Sequence, residues 1–362
     1  MNIRKYSRMP EEFFSAKFDT RSHQLYFVSD VNNWVLDDVA HSLKTELQNQ
    51  HGVQSKVVAF PQFLKNQIVH FIDRYSYLTR LHARMSDSNL MFLTWYHGDY
   101  DDPAMAPFFE SLMRTEQHLK KIVTSCQASR SDLLKAGVSP SKMVIIPIGV
   151  DLELFRPPGP GQRTLIRKRL GIPGDAVCIG SFQKDGSGWG KGTSPKYVKG
   201  PDIFLETVAE LKNAYPNIFV LLTAPARGYV KAGLEQLGIP YVHHILTDYG
   251  QIAPYYWALD LYIISSRTEG GPKGLVESWA TGVPVVSTRM GMPADLIQHK
   301  HNGMLADIED AAALAAHAAV IIEDHTLRRH IIENASQDVQ AYSWPAIARR
   351  YYRELYLPYA HI

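Results

Sequence analysis

The sequence predicts an α/β protein with two doubly wound parallel sheets, and three observations lead to that prediction. Short apolar segments of strand length alternate with segments of helical periodicity along the chain. A cluster of prolines and glycines, residues 156–162 (RPPGPGQ), interrupts this alternation. The length of 362 residues suits two domains at roughly 150 residues each. We therefore expect two Rossmann-like domains that face each other across a cleft.

The first series of elements runs from residue 25 to residue 146. Strands are predicted at 25–29, 56–60, 90–95, 122–125 and 143–146, because each is a short apolar run. Helices are predicted between them, over 36–47, over a long stretch that ends at Arg84, near 107–119, and up to Gly137. Strands that are separated by helices in this way pair in parallel and carry helices on both faces of the sheet.

The second series follows the cluster of prolines and glycines. Six strands are predicted at 177–181, 218–223, 241–244, 261–265, 284–288 and 303–305, each followed by a helical pattern. No helix or central strand would hold three prolines and two glycines in seven residues. We therefore place the domain boundary between residues 157 and 158.

Composition excludes several classes of protein. Hydrophobic residues make up 45% and charged residues 20% of the chain, which argues against a disordered or fibrous protein. The net charge of +2 is too small to predict nucleic-acid binding. Cys126 and Cys178 form neither a disulfide framework nor a zinc motif. No signal-peptide core and no run of about 18 apolar residues occurs, so we expect a cytoplasmic protein.

The residues that follow strand 261–265 form the strongest candidate site. Ligands of open α/β sheets bind at the carboxyl ends of strands, where helix N-termini offer N–H groups to anions. Glu269 is followed by the sequence GGPKG, and Glu277 lies eight positions after Glu269. The glycines let a ligand approach the backbone, and Pro272 suits the first position of a helix. The pattern predicts a phosphate or sugar site; a loop acid and a solvated helical glutamate are the alternative.

This region resembles the retaining glycosyltransferases of family 4, which have the GT-B fold. The resemblance rests on the E-x7-E spacing of Glu269 and Glu277, and on the segment VIIPIGVDLELFRPP at 144–158. It extends over nearly the whole chain after about residue 123 and includes Gly282, Pro284, Gly291, Tyr342, Ser343 and Trp344. In the family, the last helix crosses back to the first domain. The resemblance therefore implies an acceptor-side domain at 1–157, a nucleotide-sugar domain at 158–342, and a returning helix at 343–362.

The resemblance also implies a role for each matched residue. Glu269 would lie beside the donor sugar, and Glu277 would accept hydrogen bonds from the nucleotide ribose. Lys199 would be the cation that binds the donor diphosphate. The sugar hydroxyls and phosphate would contact the backbone of Gly270, Gly271, Pro272, Lys273 and Gly274.

The chain departs from the family pattern after the first strand of the second domain. The family has an arginine there, whereas Phe182, Gln183 and Lys184 follow Ser181 in this sequence. Lys184 is the substitute that we consider as a second phosphate-binding cation. The surface lysine is the alternative interpretation of both Lys184 and Lys199.

Acceptor-side candidates lie in the first domain. His97 follows strand 90–95 and resembles the family's acceptor-side histidine, although a structural histidine is the alternative. Asp99, Asp101 and Asp102 imitate a metal-binding motif, but we favour a solvated acidic loop, since the family generally works without metal. The loop DVNNW at 30–34, with Asn33 and Trp34, lacks the glycine pair common in the family. Acceptor recognition therefore stays open.

Two further segments have alternative interpretations. The glycine-rich insert 186–192 lacks the spacing of a phosphate-binding loop, so we interpret it as a mobile lid or a plain disordered loop. Apolar and basic residues between positions 63 and 84 predict a helix. That helix would pack into the core or, as the alternative, contact a membrane that carries a lipid-linked sugar.

The resemblance therefore implies a retaining glycosyltransferase, and we expect Glu269, His97 and Lys199 to be its catalytic residues. The expected partners are a UDP-, GDP- or ADP-linked sugar and a sugar, glycan or glycolipid acceptor, without nucleic acid, cofactor or metal. The resemblance implies a role in the biosynthesis of a glycan, polysaccharide or glycolipid. The alternatives are a GT-B nucleotide-sugar epimerase, a non-catalytic nucleotide-sugar-binding scaffold, and a retaining glycosidase with two carboxylates.

Overall fold

The computed structural model describes residues 23–29, 35–78, 85–188 and 190–359. Its contacts divide the chain into two compact units. The first unit comprises the described parts of Met1–Ile148 and Trp344–Ile362, and the second unit is Gly149–Ser343. Each unit is built on a parallel sheet with helices, which confirms the predicted fold class.

In its described residues the first unit has a six-stranded sheet in the order β2-β1-β3-β4-β5-β6. Every residue of its inner strand β1 is buried, as expected where helices cover both faces of a parallel sheet. The strands are β1 (Leu25–Val28), β2 (Ser55–Val58), β3 (Ile68–Phe71), β4 (Leu90–Thr94), β5 (Leu119–Thr124) and β6 (Met143–Ile145). The helices that connect them are α1 (Val35–His51), α2 (Arg74–Ser76), α3 (Ala106–Thr115) and α4 (Gln127–Lys135).

The prediction of a long helix that ends at Arg84 is wrong. Residues 68–71 (IVHF) form the buried strand β3, which pairs in parallel with β1 and β4. Apolar residues on both sides of this short strand supply a misleading helical period. Helix α2 covers three residues and begins where the Asp73 carboxylate accepts the Ser76 N–H at 2.8 Å. The amphipathic helix behind the membrane alternative is thus not formed at 68–71, and residues 79–84 lie outside the described residues.

In its described residues the second unit has a six-stranded parallel sheet in the order β12-β11-β10-β7-β8-β9. All six predicted strands are confirmed, with each end within one residue of the prediction. They are β7 (Val177–Ser181), β8 (Ile218–Leu222), β9 (Tyr241–His243), β10 (Leu261–Ile264), β11 (Val285–Thr288) and β12 (Met304–Ala306). The helices are α5 (Gln162–Arg169), α6 (Pro201–Ala214), α7 (Gly228–Leu237), α8 (Ala253–Trp257), α9 (Lys273–Thr281), α10 (Gly291–Leu296), α11 (Ala311–Glu323) and α12 (His325–Asp338).

The strand order of the second unit fixes where a ligand should bind. The chain runs outward from β7 to β8 and β9, then returns to β10, which pairs with β7 on its other side. The connections that leave β7 and β10 therefore depart in opposite directions. This reversal is the topological switch point, and ligands of such sheets bind in the crevice at the carboxyl ends of these two strands.

The C-terminal segment belongs to the first unit. It consists of α13 (Trp344–Arg350) and a π-helical turn, Tyr351–Tyr356. The Arg350 guanidinium donates to the Ile145 carbonyl at 2.7 Å, and the Tyr356 hydroxyl lies 2.6 Å from Nδ1 of His70. The imidazole of His70 also lies 2.9 Å from the Thr94 hydroxyl, and burial lowers the pKa of His70 to about 3. This polar contact joins the end of the chain to the centre of the first sheet.

The first division between the units lies after Ile148, nine residues before the boundary placed on the sequence. Residues 149–157 group with the second unit because of two contacts. The Val150 N–H donates to the Tyr342 carbonyl at 2.9 Å. Buried Phe155 packs against Tyr249 and Tyr256, with ring centroids 6.2 and 6.1 Å away. The prolines and glycines at 156–162 lie after this anchor.

Within the described ranges, no helix is both long enough and apolar enough to cross a membrane. Cys126 and Cys178 are buried thiols without a disulfide.

Candidate functional site

Lys199 and Glu269 meet at the switch point of the second sheet. Lys199 ends a short 3-10 turn, Tyr197–Lys199, between β7 and α6, and Glu269 lies in the loop between β10 and α9. The Lys199 ammonium forms an ion pair with Oε1 of Glu269. Their side chains are 18% and 12% exposed, so the pair is largely withdrawn from water. The structure thus brings together two residues that are 70 positions apart in the sequence.

The protonation of Lys199 depends on its charged neighbours. Burial and the positive charge of Lys196 lower the pKa of Lys199 to about 7, while Asp185 acts in the opposite direction. The contact with the Glu269 carboxylate also favours the charged ammonium form. Any further anion beside Lys199 would stabilise the ammonium form more. The surroundings therefore suit the binding of a phosphate group.

Lys184, the predicted second phosphate-binding cation, is half-buried and lies near the ammonium group of Lys196. Burial lowers the pKa of Lys184, and the charge of Lys196 lowers it further. Because Lys196 acts on both Lys184 and Lys199, the three lysines concentrate positive charge after β7.

Sequence reasoning missed Arg227, which is fully buried beside this segment. Its guanidinium donates to the carbonyls of Ser181 and Gln183 at 2.7 and 2.6 Å. It also lies 3.0 Å from the carboxylate of Asp185, which is equally buried. These contacts fix the path of the chain after β7. No local pattern indicates them, since Arg227 follows β8 and its partners lie more than 40 positions earlier.

Gly200 and Arg267 hold the Lys199 turn against the loop after β10. Gly200 has φ +60°, and a Cβ there would collide with the carbonyl of Ser265, so this close approach requires glycine. The backbone N–H of Arg267 donates to the Val198 carbonyl at 2.9 Å. The Arg267 guanidinium binds both oxygens of Asp202, at 2.8 and 2.7 Å, and both oxygens of Glu309, at 2.5 and 2.7 Å. Sequence reasoning missed Arg267 too, because these partners lie 65 and 42 positions away.

The loop that carries Glu269 packs closely against the start of α10. Gly291 has φ +50°, and a Cβ there would collide with the Glu269 carbonyl. The Met292 N–H donates to the Gly270 carbonyl at 2.8 Å. With the backbone of Glu269 fixed in this way, its Oε2 is buried and has no hydrogen-bond partner among the described residues. A buried carboxylate oxygen in this state is an acceptor for a ligand hydroxyl.

Helix α9 begins directly after this loop. Pro272 is the N-cap residue of α9, whereas the sequence suggested it as the first helical residue, so the helix begins one residue later, at Lys273. Pro272 supplies no side-chain hydrogen bond to the first turn. The first N–H groups of α9 follow Gly270 and Gly271 in the loop after β10. An uncapped helix N-terminus offers such N–H groups to an anion.

Glu277 is held more firmly than Glu269. It is 2% exposed, and its two carboxylate oxygens accept hydrogen bonds from the hydroxyls of Tyr249 and Tyr256, the latter at 2.7 Å. The Lys273 ammonium lies 3.9 Å from Oε1 of Glu277 and 4.0 Å from the centre of the Tyr249 ring. Burial raises the pKa of Tyr256 well above its usual value, so Tyr256 remains a donor. Each carboxylate oxygen has two lone pairs, so Glu277 is built to accept several hydrogen bonds.

The acceptor-side candidates lie in the first unit. His97 follows β4 and is half-buried, and its carbonyl accepts a hydrogen bond from Arg74. Asp99 accepts the Asp101 N–H at 2.9 Å, Asp101 pairs with Lys135 at 2.7 Å, and Asp102 caps the next turn through the Ala104 N–H. These carboxylates organise their own loop. In the described ranges, no group of three His, Cys, Asp or Glu side chains is arranged to hold a metal ion. Asn33 and Trp34 lie outside the described residues.

The glycine-rich insert differs from the expected lid or disordered loop. The Ser187 N–H donates to the Ser194 carbonyl at 2.9 Å, and Gly186 forms a β-bridge with Pro195. The carbonyls of Lys191 and Gly192 accept the N–H groups of the first two residues of α7, each at 2.8 Å. A Cβ at Gly192 would meet the backbone of Ala226, which explains a glycine there. The described part of the insert is therefore packed against α7, and Trp189 lies outside the description.

The candidate site lies in a segment that is similar to a known protein family. Residues 194–338 match the family model for glycosyl transferases group 1, and this range contains Lys199, Glu269 and Glu277. The chain is 28% identical over 240 residues to D-inositol 3-phosphate glycosyltransferase 1 of Catenulispora acidiphila, across 60% of this chain and 52% of that protein. It is 25% identical over 293 residues to the D-inositol 3-phosphate glycosyltransferase of Streptomyces coelicolor, across 74% and 60%. The chain thus spans about half to three fifths of these relatives.

Solved structures resemble the chain over most of its length. A crystal structure of Anabaena Alr3699/HepE in complex with UDP has a TM-score of 0.70 at 17% identity, over 92% of this chain and 99% of that chain. The sucrose-phosphate synthase of Thermosynechococcus elongatus has a TM-score of 0.64 at 18% identity, over 90% and 80%. At such identities the likeness is one of fold. The chain has the α/β GT-B fold, and residues 194–338 of its second unit are similar to glycosyl transferases group 1.

Proposed function

We propose that the chain transfers a sugar from a nucleotide diphosphate to a hydroxyl acceptor, with retention of the anomeric configuration. The observation that carries the proposal is the Lys199–Glu269 pair at the switch point of the second sheet. The pair lies within the segment similar to glycosyl transferases group 1. The E-x7-E spacing of Glu269 and Glu277 supports assignment to family 4 and hence the retaining mode.

The donor diphosphate would lie between Lys199 and the N-terminus of α9. Negative charge accumulates on the departing diphosphate as its bond to the sugar breaks, and fixed positive groups lower the barrier. Lys199, Lys184 and the first N–H groups of α9 are the groups that we propose for this task. Since this chain supplies the positive charge itself, we propose that the reaction needs no metal or cofactor.

The sugar would lie against Glu269, whose Oε2 has capacity for a hydroxyl donor. In the proposed reaction the bond between the anomeric carbon and the phosphate oxygen breaks, and its electron pair stays with the phosphate. The acceptor hydroxyl oxygen bonds to the anomeric carbon, and its proton passes to the departing phosphate. Both events occur on one face of the sugar, so the configuration is retained. Glu277 would bind the ribose.

The first unit would supply the acceptor side, with His97 as the residue proposed to contact the acceptor or the transferred sugar. UDP and UDP-glucose, named in structures of similar fold, are the first donor compounds to test. An inositol phosphate, named in similar proteins, is one acceptor to test beside simple sugars and glycolipids. We propose a role in the assembly of a glycan, polysaccharide or glycolipid, as the family resemblance implies, and a cytoplasmic location.

Product analysis tests the proposed reaction. The protein is incubated with UDP-, GDP- and ADP-linked sugars and these acceptors, and nucleoside diphosphate release and the anomeric configuration of the product are measured. Glu269→Gln should lower turnover by about 100-fold or more, because it removes a charge beside the reacting sugar. Glu206→Gln, an exposed change on α6, should leave turnover unchanged.

The same experiment separates the alternatives. A new nucleotide sugar formed without acceptor would identify an epimerase. Donor binding without any product from the acceptors would favour a scaffold. An inverted product would contradict the retaining mode while leaving sugar transfer in place. Turnover that survives EDTA supports the metal-free part of the proposal.

A further inference from the structure

A cavity of about 610 Å³ lies at the amino ends of β7 and β10 in the second sheet. Its walls come from α5, from the segment that leads into β7, from Asp260 just before β10, and from the start of α12. Lys199 and Glu269 follow the opposite ends of the same two strands. The five residues of β7 separate the two edges by roughly 13 Å at about 3.3 Å per residue. The cavity is therefore distinct from the candidate donor site.

Basic side chains outnumber acidic ones in the lining of this cavity. The cations are Arg163, Arg167, Lys168 and Arg328, and the carboxylates are Asp175 and Asp260. Asp260 receives three of these arginines, at 2.7 Å from Arg163, 3.2 Å from Arg167 and 3.4 Å from Arg328. It also accepts the Cys178 N–H at 2.9 Å. One carboxylate thus faces three guanidinium groups, and positive charge is left in excess.

Burial and mutual repulsion among these arginines lower the pKa of Arg163. Burial lowers the pKa of Arg163, Asp260 opposes this effect, and the charges of Arg167 and Arg328 lower the pKa further. An anion in the cavity would relieve that repulsion.

The four cations differ in how far the fold uses them. Arg163 donates to the carbonyls of Trp257 and Leu259 at 3.0 and 2.5 Å, and Arg167 donates to the carbonyl of Pro173 at 3.0 Å. These bonds fix α5 to the ends of the strands. Arg328 is 24% exposed and makes a long contact with Asp260, and Lys168 is exposed. Arg328 and Lys168 are therefore the cations best placed to bind a ligand.

We propose that this cavity binds a small anion with two or more negative charges, of the phosphate-ester or diphosphate class. The planar guanidinium of arginine presents paired N–H donors that match phosphate oxygens. A doubly charged anion would balance the excess of four cations over two carboxylates. The volume lies in the range of small-molecule sites, so a sugar or nucleoside attached to the phosphate fits. The proposed sugar transfer makes no use of this site.

Calorimetric titration with inorganic pyrophosphate tests the proposal. The full chain carries Lys199→Ala in every sample, so that binding at the candidate donor site is suppressed. The cavity variant adds Lys168→Gln and Arg328→Gln, and the matched control adds Arg169→Gln and Arg329→Gln, the exposed neighbours outside the lining. We expect saturable binding in the control, at least about 10-fold weaker binding in the cavity variant, and weaker binding at higher salt.

Two results would overturn the proposal. One is equal pyrophosphate affinity in the cavity variant and the control, and the other is no saturable binding in the control at millimolar pyrophosphate. Circular dichroism and thermal unfolding check that each variant folds. If the double change unfolds the protein, Lys168→Gln alone takes its place, since this side chain is exposed. Crystals soaked in pyrophosphate give a second readout, and clear density for the anion beside Arg328 is the expected result.

Discussion

At the scale of single residues, Glu269 and Glu277 differ in the contacts that their carboxylates already make. Glu277 is buried, and its oxygens receive the hydroxyls of Tyr249 and Tyr256. Glu269 has one oxygen on Lys199 and a buried second oxygen without a partner among the described residues. A hydrogen bond from a ligand hydroxyl would remove the free-energy cost of leaving that second oxygen buried and unpaired. We therefore expect Glu269 to form the most direct contact with a bound sugar.

Gly291→Ala should disturb the loop that carries Glu269. The new Cβ would collide with the Glu269 carbonyl and would sit at φ +50°, so we expect a loss of about 1–3 kcal/mol in the free energy of unfolding, with weaker donor binding. Gly171→Ala is the matched control, since its φ of +69° is similar but its Cβ would meet no atom within 4 Å. Urea unfolding measures both. Equal losses for the two variants would show that the contact with Glu269 is unimportant.

His70 should make the stability of the protein pH-dependent. Its pKa is about 3 in the fold and near 6.5 when unfolded, so between these values the unfolded state binds a proton that the folded state does not. Stability therefore falls as the pH falls below 6.5, by about 1.4 kcal/mol per pH unit. Between pH 7 and pH 5, urea unfolding should show wild type losing about 2 kcal/mol more than His70→Gln. The same loss in both proteins would contradict this assignment.

The residues that sequence reasoning found and missed differ in the range of their contacts. Glu269 and Glu277 could be selected because a glycine-rich loop and a spacing mark them locally, and Lys199 because it matches the Lys-Gly pattern of the family that the sequence resembles. Arg227 and Arg267 could not, because each acts on segments that are 40 or more positions away. Their neighbours in the sequence carry no pattern for such contacts, so the fold has to be known first.

At the scale of elements, strand prediction succeeded where the apolar run was bounded by turns and failed where it was not. All six strands of the second unit lie between loops or helix caps that mark their ends. Strand β3 lies among other apolar residues without a turn signal on either side, so its period is hidden. Pairing with β1 and β4 determines its conformation, and such pairing is a long-range property.

The short turn that carries Lys199 depends on Arg267. Arg267→Met removes the bonds to Asp202, Glu309 and the Tyr197 carbonyl, so the turn should loosen and the affinity for a nucleoside diphosphate should fall by about 10-fold. Arg289→Met is the control, since Arg289 makes an exposed 3.4 Å contact with Asp307. Isothermal titration measures the affinity of each variant. Lower stability with unchanged affinity would mean that Arg267 supports the fold alone.

At the scale of the whole molecule, the features that indicate a ligand-binding site lie in the second unit. Its strand order defines a switch point, and Lys199, Glu269 and the start of α9 gather there. The family match, residues 194–338, lies within the same unit. The first unit carries His97 and Asp99 on a loop in which Asp99 accepts the Asp101 N–H, and Asp101 pairs with Lys135 of α4. For the proposed transfer, the described residues therefore offer more candidate contacts to the donor than to the acceptor.

Calorimetric titration of UDP, GDP and ADP tests the central claim, a nucleotide-sugar site at Lys199 and Glu269. The titrations use wild type, Lys199→Ala and the control Lys231→Ala, a half-exposed lysine on α7. We predict that one nucleoside diphosphate binds wild type and the control equally, and binds Lys199→Ala at least about 10-fold more weakly, a change of about 1.4 kcal/mol. Equal affinity for Lys199→Ala, or binding of none of the three nucleotides, would contradict the claim.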